Sequence, residues 1–177
     1  MTLFDATRDL HHACEAHAVG QAMVNGAVTP QQWADWLWAM RCLHSVVDAG
    51  LPAHMERDTL FCADMSVLPK AHASRAALRY ARELIGQDCT GAAYVLHGAH
   101  HSGGRVLAPK MAKRGLPSLH TSYLDAAASK AWIVAARSRL EATQQARATF
   151  QCLLEVMDEI FAREGFGLPS TALEDRT

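Results

Sequence analysis

Residues that favour helices dominate this sequence from end to end. Val, Ile and Thr never gather into the alternating runs that half-buried strands require, whereas Ala, Leu, Met, Gln, Glu and Arg recur throughout. The 177 residues are 50% hydrophobic, which suits one soluble domain with a sizeable core. We therefore predict an all-α fold: a single multi-helical domain over residues 1–164, followed by a loose tail over residues 165–177.

Capping signals and turn residues divide the chain into predicted helices. The Asn25-Gly26 dipeptide suits a left-handed helix end, and Thr29-Pro30-Gln31-Gln32 then combines an N-cap, a proline in the first helical position and a capping box. The predicted helices cover residues 3–24, 30–49, 54–67, 70–86, a segment that contains 94–107 and ends near 115–117, 118–134 and 137–164.

Charge and cysteine content exclude several classes of protein. The net charge of −1 gives no overall attraction to nucleic acid or to an anionic membrane. The N-terminal residues MTLFDATRDLHH lack the features of a signal peptide, and no run approaches the length of a membrane span, so we predict a cytoplasmic protein. The five cysteines are scattered singly, which suits neither a disulfide framework nor a zinc knuckle.

The segment YVLHGAHHSGGRVL, residues 94–107, is unusual for a helix. It contains three glycines and three histidines, and each glycine costs a helix about 1 kcal/mol relative to alanine. Such a segment is typical of a place where bare backbone must approach another group closely, with imidazoles beside it.

A second histidine cluster lies on the first predicted helix. His11 and Glu15 are four residues apart and therefore share one helix face, whereas His12 faces about 100° away. The string HHACEAHAVGQAMVNGAVTPQQW resembles the first two helices of the haem oxygenase family, with His11, Glu15, Gly26 and Thr29 at the matching positions without a gap. The resemblance implies that His11 is the proximal ligand of haem iron, which is the metal ligand we predict.

The glycine-rich segment strengthens this resemblance. Ser102-Gly103-Gly104-Arg105 resembles the end of the family's distal helix, which covers the oxygen-binding side of the haem, and Tyr94-Val95-Leu96 resembles its start in bacterial members. Glycines without Cβ would let the flat macrocycle pack against main chain and would permit a kink. Three weaker matches, at Asp64, Trp132 and Phe150, extend the resemblance over nearly the whole chain and identify it as bacterial-type.

The sequence departs from the family where an acidic residue is expected on the distal helix. One alignment places His100 at that position, and another places His97 there with one extra residue before Gly103. A neutral histidine can hold the water that the acid usually organises, and we predict catalytic roles for His97, His100, Gly98, Gly103 and Gly104. An imidazole that bound the iron would instead leave no open position for oxygen.

The resemblance implies an activity and its requirements. A haem oxygenase cleaves b-type haem to biliverdin, carbon monoxide and ferrous iron, with O2 and electrons from a ferredoxin or a reductase, and we expect a monomer or a weak homodimer. Basic side chains should pair with the haem propionates. The predicted haem-binding residues are Arg8, His11, Glu15, Tyr94, Ser102, Arg105, Lys130 and Arg137.

Other functions remain open on the same scaffold. A non-catalytic haem protein for storage, trafficking or sensing would use bis-histidine ligation. A dinuclear iron oxidase would use carboxylates and histidines, with Glu15, Asp48, His54, His97 and His101 as conceivable ligands, although paired Glu-x-x-His motifs are absent. A thiaminase-like hydrolase needs a cysteine beside carboxylates, and Cys14 cannot share a helix face with Glu15.

Overall fold

The computed structural model describes residues 1–164 and is all-helical in that range, as predicted. The predicted tail, 165–177, lies outside the described residues. The α-helices are α1 (Leu3–Ala16), α2 (Ala18–Asn25), α3 (Pro30–Val47), α4 (Asp58–Met65), α5 (Arg75–Leu84), α6 (Thr90–Gly98), α7 (Gly104–Lys113), α8 (Ala126–Ala136) and α9 (Thr143–Glu164). None of these helices is long and apolar enough to cross a membrane.

The long helix α9 forms the centre of the fold. It packs against α1, α3, α5 and α6, while α2 bridges α9 and α7. The core between these helices is apolar and includes the fully buried Trp33, whose ring nitrogen donates a hydrogen bond to the Pro117 carbonyl (2.8 Å). The helix that carries His11 and the helix that carries His97 are therefore both positioned by α9.

The predicted capping signals at the start of α3 are confirmed. Thr29 and Gln32 form a reciprocal capping box, and Pro30 is the first helical residue. The preceding helix ends at Gly26, whose φ of 67° lies in the left-handed region that favours glycine.

The predicted helix over 3–24 is wrong in one respect, because the chain breaks at His17. Its backbone is extended (ψ 143°), and its ring Nδ1 accepts a hydrogen bond from the Val19 amide (3.1 Å), which starts α2. Histidine is not among the usual N-cap residues, so the sequence carries no standard signal for this break.

Other predicted helices are longer than the observed ones. The predicted segments 54–67, 70–86, 118–134 and 137–164 shorten to α4, α5, α8 and α9, since short 3-10 turns or extended residues occupy their starts. Ser74 and Asp125 act as N-caps inside two of these segments, where the prediction assumed continuous helix.

The glycine-rich segment forms a π-helical turn. Residues Ala99–Gly103 connect α6 to α7 with π geometry, so the helix continues through the glycines without a break. A π-helix uses i→i+5 hydrogen bonds and so contains more residues per turn than an α-helix. The extra residue that one of the two alignments expects before Gly103 falls within this turn.

Candidate functional site

His11 lies half-buried on α1 in an aromatic surrounding. Its ring meets Phe150 of α9 edge-on, with centroids 5.8 Å apart, and lies 6.3 Å from the ring of Phe4. Its Nδ1 is 3.6 Å from a carboxylate oxygen of Glu15. That nitrogen is buried and has no hydrogen-bond partner among the described residues. His11 therefore has an unpaired imidazole nitrogen directed towards an anionic side chain.

Two predicted propionate partners gather around Phe4. The guanidinium of Arg8 lies 5.2 Å from the centre of the Phe4 ring, and that of Arg137 lies 5.9 Å from it. The start of α1 and the end of α8 are also joined by a hydrogen bond from the Leu3 amide to the Arg137 carbonyl (2.9 Å). The structure thus brings His11 and two exposed cationic groups to the same apolar ring, which we call the Phe4 cluster (Phe4, Arg8, His11 and Arg137).

Lys130, another predicted propionate partner, lies near His101. Burial lowers the pKa of His101, and the positive charges of Arg105 and Lys130 lower it further, so these basic groups lie near the π-turn. Ser102 and Arg105 are exposed beside it, and Tyr94 is buried on α6. The predicted haem-binding residues therefore fall into two groups. One group, on α1 and at the end of α8, comprises Arg8, His11, Glu15 and Arg137. The other group, near the π-turn, comprises Ser102, Arg105 and Lys130, with Tyr94 buried on α6 before that turn.

The three glycines at the π-turn differ in their surroundings. A Cβ added to Gly98 or Gly103 would meet no atom within 4 Å, whereas at Gly104 it would lie 2.9 Å from Cβ of Thr121. Gly104 is therefore required for close packing against the 3-10 turn Leu119–Thr121. Gly98 and Gly103 leave bare backbone facing open space, on which a flat ligand would find no side chain in its way.

His97 and His100 point into a buried polar cluster. His97 Nε2 and His44 Nδ1 each lie 2.9 Å from Oδ1 of Asp48, and His44 Nε2 lies 2.8 Å from Nε2 of His100. His97 Nδ1 contacts the Tyr123 hydroxyl (3.0 Å). A continuous hydrogen-bonded chain thus runs from Tyr123 through His97, Asp48 and His44 to His100, and we call it the histidine–aspartate chain.

Burial and charge set the protonation of this chain. Burial raises the pKa of Asp48, but the hydrogen bonds from His44 and His97 outweigh it and lower that pKa to about 2. Burial lowers the pKa of His97 to about 4 and places the pKa of His100 well below its usual value, with the charge of His44 adding to the effect. At neutral pH Asp48 is therefore ionised, and His97 and His100 are neutral.

A second buried pair adjoins the chain. His120 Nδ1 lies 2.6 Å from Oδ2 of Asp64, which also accepts a hydrogen bond from the His120 amide. The His120 ring lies 5.4 Å from that of His100 and stacks on Phe61. Asp64 thus fixes the turn that packs against Gly104.

Arg57 contacts two members of the histidine–aspartate chain, Tyr123 and Asp48. Its guanidinium lies 3.5 Å from the centre of the Tyr123 ring, and its backbone amide donates a hydrogen bond to Oδ2 of Asp48 (3.1 Å). The side chain also donates to the Ser122 carbonyl, while Nε and Nη2 have no partner among the described residues. Arg57 therefore fixes both Asp48 and the Tyr123 ring.

A surface cleft of about 240 Å³ leads to the histidine–aspartate chain. His100 and Tyr123, which are the two ends of the chain, both line it, together with His101 and Arg105. The buried network is thus connected to the surface at both of its ends.

Part of this network is not evident from the sequence. No sequence pattern described above points to His44, Arg57, His120 or Tyr123, and Asp48 is indicated only as a conceivable ligand of a dinuclear centre. The His44 to Asp48 spacing of four residues on one helix was an available signal. Of the conceivable dinuclear ligands, only Asp48 and His97 come together; among the described residues, Glu15, His54 and His101 do not join them.

The three weaker sequence matches lie close to the predicted histidines. Phe150 contacts His11, Trp132 lies 6.5 Å from the His97 ring, and Asp64 anchors the turn beside the π-turn. These residues therefore link the two groups of candidate site residues to α9, α8 and α4.

Comparison with known proteins supports the fold. No protein-family model matches the chain, and no curated protein sequence matches it. Among solved structures, haem oxygenase-1 from the cyanobacterium Synechocystis, in complex with haem, is 14% identical with a TM-score of 0.69, covering 92% of this chain and 90% of that one. Haem oxygenase from Leptospira interrogans is 17% identical with a TM-score of 0.68, covering 89% of this chain and 96% of that one. The chain therefore has the fold of the bacterial haem oxygenases.

Proposed function

We propose that this chain binds one b-type haem through His11 and cleaves it to biliverdin, carbon monoxide and ferrous iron. The observation that carries the proposal is the Phe4 cluster, in which the His11 imidazole and two cationic side chains meet at one apolar ring beside Glu15. An axial ligand, an apolar surface and partners for two carboxylates are what a haem requires.

His11 fits the role of axial ligand. A histidine that ligates a metal usually donates its other ring N–H to a carboxylate, a carbonyl or water, which fixes its tautomer. Glu15 lies 3.6 Å from Nδ1 of His11, so a small movement makes that hydrogen bond and leaves Nε2 as the ligand atom. The perpendicular ring of Phe150 restricts rotation of the imidazole.

Arg8 and Arg137 are proposed to bind the haem propionates. Arg8 is paired with Asp5 (2.7 Å) at the surface, and an exposed ion pair of this kind exchanges partners at little cost. A guanidinium also binds a carboxylate with two parallel hydrogen bonds. Lys130 and Arg105, which lie near the π-turn, are the alternative propionate partners.

Gly98 and Gly103 are proposed to form the distal surface. Their Cβ directions are open, so the ring can approach main chain there, whereas a larger side chain would occupy that space. Bound haem would be both the redox cofactor and the substrate whose ring is oxidised, with O2 and electrons from a ferredoxin or a reductase in the cytoplasm.

The two distal histidines are proposed to have different roles. Both ring nitrogens of His97 are occupied, by Asp48 and by Tyr123, so His97 supports the network rather than reaching a ligand. His100 lines the surface cleft and is hydrogen-bonded through Nε2 to His44. We therefore assign to His100 the ordered water that an acidic residue holds in the family, with Asp48 supplying negative charge two hydrogen bonds away.

Haem titration of the purified protein tests the role of His11. We expect the wild type to take up one equivalent of haem with the absorption spectrum of a histidine-ligated complex. His11→Ala should lose that ligation because no other imidazole of α1 has the same Glu15 and Phe150 contacts.

His12→Ala is the matched control. His12 is the next residue, is exposed, and lies 6.2 Å from His11 between ring centroids. This variant should bind haem like the wild type. An unchanged Soret band and ligand assignment in His11→Ala would remove His11 from the site and with it the proposal.

A further inference from the structure

We propose that His44, Asp48 and His97, besides supporting His100, form a second site, distinct from the His11 iron site, which binds one divalent transition-metal ion such as Fe²⁺ or Zn²⁺. Two imidazoles and one carboxylate are the ligand set of mononuclear non-haem iron centres and also of several zinc sites. All three residues are buried, and their ligand atoms lie within 4.8 Å of one another.

The distances between the ligand atoms match a coordination shell. Oδ1 of Asp48 lies 2.9 Å from Nδ1 of His44 and 2.9 Å from Nε2 of His97. Ligands at adjacent corners of an octahedron with bonds of about 2.1 Å lie about 3 Å apart. The three atoms can therefore accept an ion without a large change in their separation.

In each of the three residues, the polar side-chain atom that points away from the proposed ion already has a hydrogen-bond partner. Nε2 of His44 is hydrogen-bonded to His100 (2.8 Å), and Nδ1 of His97 to the Tyr123 hydroxyl (3.0 Å). Oδ2 of Asp48 accepts the Arg57 amide (3.1 Å). Metal ligands in proteins are typically oriented by such outer partners. Here each of the three residues has an outer partner while its other polar atom points to a shared centre.

The outer partners can accept the protons that metal binding displaces. In the ion-free chain, the ring nitrogens of His44 and His97 both share a proton with the Asp48 carboxylate, whereas a metal binds an imidazole nitrogen that carries no proton. With the ion in place, Nδ1 of His97 can donate to the Tyr123 hydroxyl (3.0 Å), which itself donates to the His97 carbonyl oxygen (3.2 Å). His44 can likewise donate through Nε2 to His100 (2.8 Å).

Metal binding to haem-free protein tests the site. The full chain, stripped of metal with a chelator, is titrated with Zn²⁺ by calorimetry, and the bound zinc is counted after desalting. We expect one equivalent in the wild type and a loss of at least tenfold in affinity in Asp48→Asn and in His97→Gln.

Two controls separate this site from the haem site. His11→Ala should keep the zinc affinity of the wild type, and that result would exclude binding by the group of His11, His12 and Glu15. His72→Gln removes the histidine that pairs with the buried Asp35 (3.0 Å) and should also have no effect. Because the readout is zinc in haem-free protein, failure of the haem proposal leaves this result unchanged.

A measurement on the wild type covers the case in which the variants do not fold. Co²⁺ added to the unsubstituted protein should give visible d–d absorption typical of nitrogen and oxygen ligands, which one equivalent of Zn²⁺ removes. The proposal is overturned if folded wild type binds neither ion, or if folded Asp48→Asn and His97→Gln bind zinc as the wild type does.

Discussion

For His97 and His100, the sequence indicates that the residues belong to a site but does not indicate which side chains they contact. Both are indicated by the glycine-rich segment, yet their partners lie far away in the chain: His44 on α3 is 56 residues before His100, and Asp48, the C-cap of α3, is 49 residues before His97. No local pattern in the segment specifies which side chains will meet it. The His11 and Glu15 pair is different, because a spacing of four on one helix places the two side chains together directly.

The cysteines give a test at the residue scale. Burial raises the pKa of Cys14 and of Cys152 to about 12, and Cys14 also donates to the Phe150 carbonyl beneath His11. Because the thiolate is the reactive form, both should resist a thiol reagent at pH 8 in native protein, whereas the exposed Cys62 should react rapidly.

Mass spectrometry of the labelled protein assigns the reacted positions. Labelling repeated in denaturant should modify all the cysteines and provides the control. Rapid native labelling of Cys14 would show that α1 does not pack on α9 as described.

At the scale of helices, the two features that the sequence does not predict are the break at His17 and the π-turn. The break at His17 depends on a ring nitrogen that accepts an amide proton, and the π-turn accommodates the glycine-rich segment without ending the helix. Capping residues of the usual types, such as Thr29 and Gln32, were predicted correctly because their effect is local.

Gly103 and Gly104 give a matched pair of substitutions. Gly104→Ala should lower the free energy of unfolding by about 1–3 kcal/mol, since the new methyl group would overlap Thr121 at 2.9 Å. Gly103→Ala should leave stability unchanged or raise it by up to about 1 kcal/mol, because its Cβ direction is open and alanine favours helix. Urea unfolding followed by circular dichroism measures both.

The same glycine tests the distal surface. Gly103→Leu should keep the helical circular dichroism of the wild type but weaken haem uptake, since its side chain would occupy the space proposed for the ring. Equal stability losses in the two alanine variants, or normal haem affinity in Gly103→Leu, would contradict the packing described here.

At the scale of the whole molecule, helix composition and capping were sufficient to predict an all-α domain, and the resemblance to haem oxygenases agrees with the fold of two bacterial members. Helix α9 packs against both α1 and α6 and so connects the two groups of site residues. No pattern in the sequence specifies these helix contacts. The histidine–aspartate chain likewise depends on tertiary packing. It joins side chains from α3 and its C-cap, from α6 and the π-turn, and from the segment that follows the 3-10 turn Leu119–Thr121.

Turnover of bound haem is the decisive test of the proposed haem-degrading activity. The haem-loaded wild type is supplied under air with ascorbate or with a ferredoxin and its reductase, and the absorption spectrum is followed. We expect loss of the Soret band with the appearance of biliverdin, and a slower reaction in His100→Ala than in His12→Ala. A persistent six-coordinate low-spin spectrum without biliverdin would contradict the proposed activity and would indicate a non-catalytic haem protein with bis-histidine ligation.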